Sequence, residues 1–245
     1  MKARELYQAG KLNEAIQSLQ AELRDSPSDV ARRTFLFELL CFAGEYDRAE
    51  KHLDVLAGAS VDSATGSLLY RAALAAERSR NSLFEKGDYP GAPADSPPIR
   101  GSLNGQPFES IEDADLRIGQ RLEVFAAGQY MWLPMAHVAS VEMQAPKRLR
   151  DLLWIPALVK TGPAFRGTEL GEVLIPALSP FSFQHPDVAV RLGRATVWSE
   201  PEPGNPVPFG QKTLLVDGED FPLLEVRSLE IAAAEPSPEL HASAQ

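Results

Sequence analysis

The residues with the clearest potential for chemistry form a short acidic stretch, SIEDADLRIG, which runs from Ser110 to Gly119. It contains Glu112, Asp113 and Asp115, and carboxylates at such close spacing can act as general acid and base or bind Ca²⁺. The stretch lacks the glycine and the final bidentate glutamate of an EF-hand loop. A solvated turn, in which the carboxylates pair with neighbouring arginines, is therefore the favoured interpretation.

Other signals for catalysis or metal binding are missing from the sequence. The single cysteine, Cys41, lies in a predicted helix, where cysteine usually acts as a small buried hydrophobic residue. The histidines do not have the close paired spacing of zinc ligands; they are His52, His137, His185 and His241. No G-x-S-x-G, G-x-G-x-x-G or G-x-x-x-x-G-K-[ST] motif occurs. The sequence therefore predicts no catalytic residue, no metal and no cofactor.

The net charge, the apolar runs and the cysteine count limit which partners the protein can bind and in which compartment we expect it. The chain has 245 residues and a net charge of −10, which disfavours binding to nucleic acid or anionic lipid because both carry negative charge. No apolar run approaches the roughly eighteen residues that a membrane span needs, and the first residues lack the apolar region of a secretory signal. One cysteine excludes an internal disulfide and fits a reducing compartment. We expect a cytoplasmic protein.

The elements that position these residues begin with an internal repeat. The string GKLNEAIQSL starts at Gly10 and the similar string GEYDRAEKHL starts at Gly44, an offset of 34 residues (44 − 10). This is the period of the tetratricopeptide helix–turn–helix unit. Glycine permits the tight turn between paired helices, and small Ala15 and Ala49 allow those helices to approach closely. The register predicts helices over 2–9, 12–24, 29–43, 46–57 and 63–85.

Beyond Gly87 the composition changes. The string GDYPGAPADSPPIRG contains four prolines, a density that neither a helix nor a central strand tolerates. Short apolar or alternating runs follow and predict strands over 121–126, 129–133, 137–143, 172–176, 188–192, 195–198, 212–216 and 221–231. Two turn dipeptides, Asn104–Gly105 and Asp217–Gly218, predict hairpins. Residues 147–160 are predicted to form a short helix over the sheet.

The predicted fold class is α+β, with tetratricopeptide-like helical hairpins followed by a β-rich domain that is barrel-like or made of packed sheets. We predict four segments along the chain, namely helical repeats over 1–86, a proline-rich linker over 87–101, the β-rich domain over 102–232 and a disordered tail over 233–245.

The β-rich half contains a series of ordered motifs that resembles the ImpE family, also called TagJ, of SciE-type virulence proteins that accompany bacterial type VI secretion systems. The resemblance extends from the repeats to about Ile231. It departs from the family pattern at Ser179–Pro180, where family members tend to carry a tyrosine. The motifs that carry it are IRGSLNGQPFESIEDADLRIGQRLEVFAAGQYMWLP, RLRDLLWIPALV, GEVLIPALSP, VRLGRATVW and GQKTLLVDGEDFPLLEVRSLEI.

The resemblance implies a non-enzymatic adaptor in the cytoplasm. It implies that the protein binds the N-terminal helix of the small sheath subunit of the contractile tail, and is thereby linked to the ClpV-type ATPase that disassembles the sheath. The residues themselves predict a helical scaffold without a catalytic constellation, which agrees with that role.

The concave face of the repeats is the first candidate surface for such a helix. On the 34-residue register, the inward positions are Tyr7, Thr34, Glu38, Cys41, Phe42, Leu68 and Ala72. An equally weighted alternative is that Phe42, Leu68 and Ala72 only seal the core of the protein against the linker or the β-rich half.

Two further alternatives concern the β-rich half. The segment Leu149–Trp154 could add a partner strand or hold a helix, although packing against the sheet is favoured for its apolar residues. The half could also contain an enzymatic or ligand-binding site, delivered by the repeats. A deep polar pocket lined by several of five residues would favour that function; they are Glu112, Asp113, His137, Arg150 and Asp151.

Overall fold

The structure is a computed structural model that describes residues 2–59, 61–90, 97–167 and 169–232. The predicted disordered tail and the middle of the predicted linker, 91–96, lie outside the described residues. Helices form the described chain up to Lys86, and the first strand begins at Gly101. The described chain therefore has a helical part followed by a β-rich part.

Five helices form the amino-terminal half, and each packs against the next along the chain. They are α1 (Lys2–Gln8), α2 (Leu12–Asp25), α3 (Val30–Phe42), α4 (Tyr46–Ala57) and α5 (Val61–Lys86). All five predicted helices are confirmed, with ends within two residues of the predicted ones. Within the described part of the chain, no helix combines the length and apolarity that crossing a membrane requires.

The two repeat glycines end their helices in the same way. Gly10 and Gly44 both have a φ of +72°, a conformation that glycine adopts without steric cost. The next residue in each turn donates its N–H back to a leucine carbonyl, Lys11 to Leu6 at 2.8 Å and Glu45 to Leu40 at 2.9 Å. This pattern closes the end of a helix, and it explains why glycine recurs with the period of the repeat.

Thirteen strands follow the helices in the described chain. They are β1 (Gly101–Leu103), β2 (Gln106–Phe108), β3 (Ile111–Asp113), β4 (Arg121–Ala126), β5 (Gln129–Pro134), β6 (Val138–Met143), β7 (Trp154–Thr161), β8 (Gly171–Pro176), β9 (Thr196–Glu202), β10 (Asn205–Gly210), β11 (Thr213–Val216), β12 (Glu219–Pro222) and β13 (Ser228–Ile231).

The strands form three antiparallel sheets. The largest has eight strands in the order β2-β1-β13-β6-β7-β8-β4-β5, a second has the order β12-β11-β3, and β9 pairs with β10. The predicted α+β class, with helical hairpins before a β-rich domain, is confirmed. Both predicted hairpin turns are also confirmed, since Asn104–Gly105 joins β1 to β2 and Asp217–Gly218 joins β11 to β12 with positive φ angles throughout.

The prediction of a helix over 147–160 is wrong for most of that segment. Only Leu149–Leu152 forms a 3₁₀ helix, and β7 then runs through the middle of the large sheet. After Trp154, every second side chain of β7 is buried in a core on one face of the large sheet, as at Ile155, Ala157 and Val159. The leucines before the strand suggested a helical period, but the alternation after them determined the structure.

Two other strand predictions are also corrected. Residues 188–192 were predicted as a strand, but Val188–Arg191 form a short helix, α6, whose start is capped by the Asp187 carboxylate accepting from the N–H of Ala189 at 2.8 Å. The single strand predicted over 221–231 is divided. The end of β12 is followed by a 3₁₀ helix at Leu223–Glu225, and β13 comes after it.

The helices and the large sheet share one apolar core. Phe125, Trp154 and Leu174 from three neighbouring strands are buried together with the interior of α2 to α5. The opposite face of the same sheet packs into a second core, which includes Ile155, Val159 and Ile175. One face of the large sheet therefore packs against the repeats. As a result, residues of the β-rich half lie against the concave face of the helices.

Candidate functional site

A buried ion pair joins the two halves of the protein. Arg80 of α5 donates from Nε and Nη2 to the two carboxylate oxygens of Glu123 on β4, at 2.8 and 2.9 Å, and Nη2 also donates to the carbonyl of Leu178 at 3.0 Å. Neither Arg80 nor Glu123 is more than 2% exposed. Burial acts to raise the pKa of Glu123, but the charges of Arg80 and Lys212 outweigh it and hold that pKa well below its usual range.

Lys212 extends the network to a second carboxylate. Its Nζ lies 2.5 Å from Oε2 of Glu123 and 2.5 Å from Oδ2 of Asp113. Burial raises the pKa of Asp113 to about 7, against the opposing charge of Lys212. Because each charge in the network faces an opposite charge, we interpret it as a structural joint between the halves.

The acidic stretch is therefore not the solvated turn that its sequence favours. Asp113 and Asp115 are both buried, and Glu112 is half-buried. Asp115 does pair with a neighbouring arginine, since Arg117 donates from Nε and Nη2 to its two oxygens at 2.8 and 2.5 Å. The stretch turns inward because Asp113 pairs with Lys212, which lies about a hundred residues later in the chain.

The five residues proposed for a polar pocket do not converge. Glu112 and Asp113 lie on β3, His137 packs against Phe165 with ring centroids 6.3 Å apart, and Arg150 and Asp151 precede β7. The described residues also contain no group of three or more His, Cys, Asp or Glu side chains that could hold a metal ion. Within the described part of the chain, none of the cavities described below is lined by more than one of these five residues.

A groove lies on the concave face of the repeats, between α1, α3 and the segment 147–150. We call it the concave groove. Its first part is a cavity of about 540 Å³ lined by Arg4, Tyr7, Gln8, Ala31, Thr34, Phe35, Glu38, Lys147, Arg148, Leu149 and Arg150. A second part of about 300 Å³ shares Thr34, Arg148 and Arg150 with the first, and continues past Phe37, Leu53 and Tyr70 to the start of α5. The two parts are neighbouring cavities on the repeat face, with these three residues between them.

The floor of the concave groove is aromatic and its rim is cationic. Tyr7 packs edge-on against Phe35 with ring centroids 5.9 Å apart, and the guanidinium of Arg150 lies 4.6 Å from the Tyr70 ring centroid. The Nε of Arg150 is buried and has no hydrogen-bond partner among the described residues. Together with Arg148 and two further cations, Arg150 gives this groove a positive rim on a protein whose net charge is −10.

Glu38 is the only carboxylate among the described residues that line the concave groove. Burial raises its pKa to about 7, opposed by the nearby charge and the backbone N–H of Arg150. Near neutral pH, Glu38 is therefore close to half protonated. The positive charge of the groove increases as the pH falls through that range.

The structure divides the residues predicted to bind a partner among three places. Tyr7, Thr34 and Glu38 line the concave groove. Cys41 and Phe42 are no more than 2% exposed and lie beside Leu153, Trp154 and Phe183 of the β-rich half.

The remaining two predicted residues lie on α5. Leu68 is 70% exposed, and Ala72 contacts the β4–β5 turn at Gly128 and lines a different cavity. The alternative that Phe42, Leu68 and Ala72 seal the protein's own core therefore describes Phe42 and does not describe the exposed Leu68.

Sequence reasoning missed the wall that the β-rich half contributes to the concave groove. The string KRLR, residues 147–150, places two arginines and a lysine at its rim. Asp151 accepts from the N–H groups of Lys147 and Arg148 at 2.8 and 2.9 Å and fixes the turn that presents them. The run of cations in an acidic chain was the available signal, but its position over α3 depends on the tertiary structure.

Comparisons with known proteins agree with this architecture. Residues 105–230 match the model of the ImpE protein family, and residues 6–76 match a tetratricopeptide repeat model. The type VI secretion system accessory component TagJ of Pseudomonas aeruginosa is 31% identical over 263 residues, which cover 94% of this chain and 91% of that protein. The crystal structure of protein VPA1032 from Vibrio parahaemolyticus has the same fold, with a TM-score of 0.82 at 20% identity over 95% of this chain and 98% of that one.

Proposed function

Because this chain belongs to the ImpE protein family, we propose that it is a non-enzymatic adaptor of a type VI secretion system that binds a partner helix in its concave groove. The observation that carries this proposal is the open groove itself, which has an aromatic floor and a cationic rim where the repeats face the segment 147–150. The groove is the part of the concave face that the β-rich half leaves uncovered.

The shape and chemistry of the concave groove suit an amphipathic helix. Helix-in-groove recognition uses apolar anchors at i, i+3, i+4 and i+7, and Tyr7, Phe35 and Tyr70 offer apolar surface in its two parts. The rim cations suit acidic side chains or the carboxyl-terminal end of a helix, where the helix dipole is negative.

The partner in this proposal is the N-terminal helix of the small sheath subunit, as the family resemblance implies. The adaptor would then be tied to the sheath and indirectly to the ClpV-type ATPase that disassembles it, and it would act in the cytoplasm. Support comes from the relative named as a type VI secretion system accessory component and from the repeats, which in general bind proteins.

The test is the affinity of the full-length protein for a peptide that covers the N-terminal helix of the small sheath subunit from the same secretion system. We expect Arg148→Glu, at the rim of the concave groove, and Thr34→Trp, which fills it, each to weaken binding about tenfold or more, equivalent to ~1.4 kcal/mol. Arg166→Glu is the matched control, because Arg166 is an exposed arginine outside the groove.

Two outcomes would contradict the proposal at different levels. If the peptide binds and neither groove variant differs from Arg166→Glu, the adaptor function stands and the concave groove is not its site. If the full-length protein does not bind the sheath peptide at all, the proposed partner is wrong.

A further inference from the structure

A second cleft lies on another face of α5, where that helix crosses the large sheet. We call it the α5 cleft. It has a volume of about 430 Å³, and its apolar lining comes from Leu69, Ala72 and Ala73 on the helix and from Phe125, Pro156, Leu158 and Leu174 on the sheet. The concave groove is lined by different residues of α5, namely Ser63, Gly66, Ser67 and Tyr70. The two sites are therefore separate surfaces that share one helix.

Part of the apolar lining of the α5 cleft is exposed to solvent. Leu69 and Leu158, which line it, are 48% and 36% exposed, and Leu68 beside Leu69 is more exposed still. Among the described residues, four leucines are at least 36% exposed, and Leu68, Leu69 and Leu158 are three of the four. Contiguous exposed apolar surface of this kind marks an interaction site more often than scattered single residues do.

Two carboxylates flank the apolar centre of the α5 cleft. Leu158 on β7 is paired in register with Glu142 on β6 and with Glu172 on β8, so the three side chains point to the same face of the sheet. Two strand spacings place the backbones of the two glutamates about 10 Å apart. Both glutamates are exposed and both line the cleft.

We propose that the α5 cleft is a second docking surface, which binds a cationic amphipathic helix of a protein partner. The apolar face of that helix would pack on Leu69, Leu158 and Pro156, and its lysine or arginine side chains would pair with Glu142 and Glu172. Glu142 now has an exposed cation, Lys160, at 3.6 Å, which is an exchangeable surface contact.

The chemistry of the α5 cleft favours a helix over a small molecule. A small-ligand pocket fixes its ligand with polar groups inside the cavity. Here the acidic and amide side chains, Glu142, Glu172 and Gln144, are all exposed, and the floor is apolar. Long cationic side chains of a helix reach such a rim while its apolar residues cover the floor.

A second copy of this chain fits the α5 cleft less well than a cationic partner does. Each copy carries a net charge of −10, and a symmetric contact at this surface would bring the same carboxylates together from both copies. The cationic rim of the concave groove and the acidic rim of the α5 cleft thus select helices of opposite charge. An adaptor with both sites can hold two partners at once.

The experiment measures binding of a synthetic helical peptide of leucine and lysine, about 18 residues or ~27 Å long, to the full-length protein by fluorescence anisotropy. A second peptide has glutamate in place of every lysine. The charge variant is Glu142→Lys with Glu172→Lys, and its matched control is Glu219→Lys with Asp220→Lys, two exposed carboxylates on β12. The apolar variant is Leu69→Ser, and its control is Leu116→Ser, an exposed leucine elsewhere.

We expect the lysine peptide to bind at least tenfold more tightly than the glutamate peptide does when both are measured on the Arg148→Glu variant, whose concave groove has lost a rim cation. The charge variant should lose at least tenfold in affinity and Leu69→Ser about threefold or more, while both control variants stay within about twofold. The groove variant Arg148→Glu should leave this binding unchanged, which separates a failure here from a failure of the adaptor proposal.

Three outcomes would overturn the α5 cleft as a docking site for a cationic helix. The first is equal loss of affinity in the charge variant and its control, which indicates attraction by net charge alone. The second is tighter binding of the glutamate peptide than of the lysine peptide by the Arg148→Glu variant. The third is a concentration-dependent dimer in sedimentation that Leu69→Ser abolishes, because a second copy would then cover the face. Circular dichroism of each variant shows whether it is folded.

Discussion

The guanidinium of Arg80 and the carboxylate of Glu123 form a two-point ion pair that crosses from the helical repeats to the large sheet, 43 residues apart in the chain. Arg80 lies on the long helix α5, and Glu123 lies in the middle of β4. Nearby, the indole Nε1 of Trp154 donates to Glu77 of the same helix at 2.9 Å. Charged and aromatic groups together therefore lock the repeats onto the sheet in one arrangement.

Breaking this ion pair should destabilise the whole protein. Arg80→Ala leaves Glu123 buried with Lys212 and the Tyr130 hydroxyl as its remaining donors, and removal of one member of a buried pair costs about 3–5 kcal/mol. Urea unfolding, followed by circular dichroism, measures the free energy of unfolding. Arg166→Ala, at an exposed arginine, should change it by no more than about 0.5 kcal/mol. Equal effects of the two variants would mean that the pair does not join the halves.

The turn glycines of the two repeats should differ in their tolerance of a side chain. Gly10 and Gly44 have the same φ, so alanine at either position costs about 1–2 kcal/mol of backbone strain. A Cβ at Gly44 would lie 2.1 Å from the Phe183 ring, whereas nothing lies within 4 Å of one at Gly10. The Phe183 ring is itself packed against Tyr46.

We therefore expect Gly44→Ala to reduce the free energy of unfolding by about 1–3 kcal/mol more than Gly10→Ala does. Thermal or urea unfolding of the two variants gives this difference directly. In the background of Phe183→Ala the difference should largely disappear. If it persists there, the clash with Phe183 is not its cause.

Stability should fall as the pH rises through the titration of Glu38. Burial raises the folded-state pKa of this carboxyl to about 7 from 4.5, so the folded protein holds a proton that the unfolded chain has released. Between roughly pH 5 and 7 this group lowers the free energy of unfolding by up to about 1.4 kcal/mol per pH unit. The measurement is urea unfolding across this range for the natural protein and for Glu38→Gln.

The difference in stability between the natural protein and Glu38→Gln should become less favourable to the natural protein as the pH rises. A difference that stays constant from pH 5 to pH 7 would contradict the raised pKa. Glu45→Gln is a suitable control, because Glu45 is a partly exposed glutamate in the α3–α4 turn.

Cys41 should report on the contact between the two halves. It is buried, and burial raises the pKa of its thiol well above the usual range, so the reactive thiolate is scarce. We expect thiol reagents to label the natural protein only as fast as it opens.

Trp154→Ala removes a side chain that lines the same small cavity as Cys41, and it should accelerate labelling by about tenfold or more, in line with a loss of ~3–5 kcal/mol in packing. Trp198→Ala, at an exposed tryptophan, is the control. Fast labelling of the natural protein would mean that the halves separate readily.

Local patterns in the sequence were sufficient to determine the helical half and two of the hairpins. The 34-residue spacing of Gly10 and Gly44 identifies the repeat, because a helix of this kind must end in a left-handed residue that only glycine adopts without cost. The dipeptides Asn104–Gly105 and Asp217–Gly218 identify hairpins for the same reason. The helix ends and the hairpin turns depend on residues that are close together in the chain, so the sequence is enough to predict them.

The assignment of 147–160 failed where two local patterns compete. Its leucines fit a helical face, but the residues from Trp154 onward alternate between two environments. A strand in the middle of a sheet gains partners on both edges, and this outweighs a short helical preference. The strands that pair with β7 are β6, which precedes the segment, and β8, which follows it. The pattern within residues 147–160 therefore could not indicate their contribution.

The sequence by itself determined which surfaces the repeats could offer, and the tertiary structure decided which of them are open. The repeat register predicts that both Thr34 and Phe42 face inward. Thr34 lines an open groove, whereas the β-rich half buries Phe42. Likewise the carboxylate of Asp113 became part of a buried network because Lys212 reaches it from far along the chain. Exposure and charge pairing depend on contacts between distant segments, and those contacts exist only once the chain has folded.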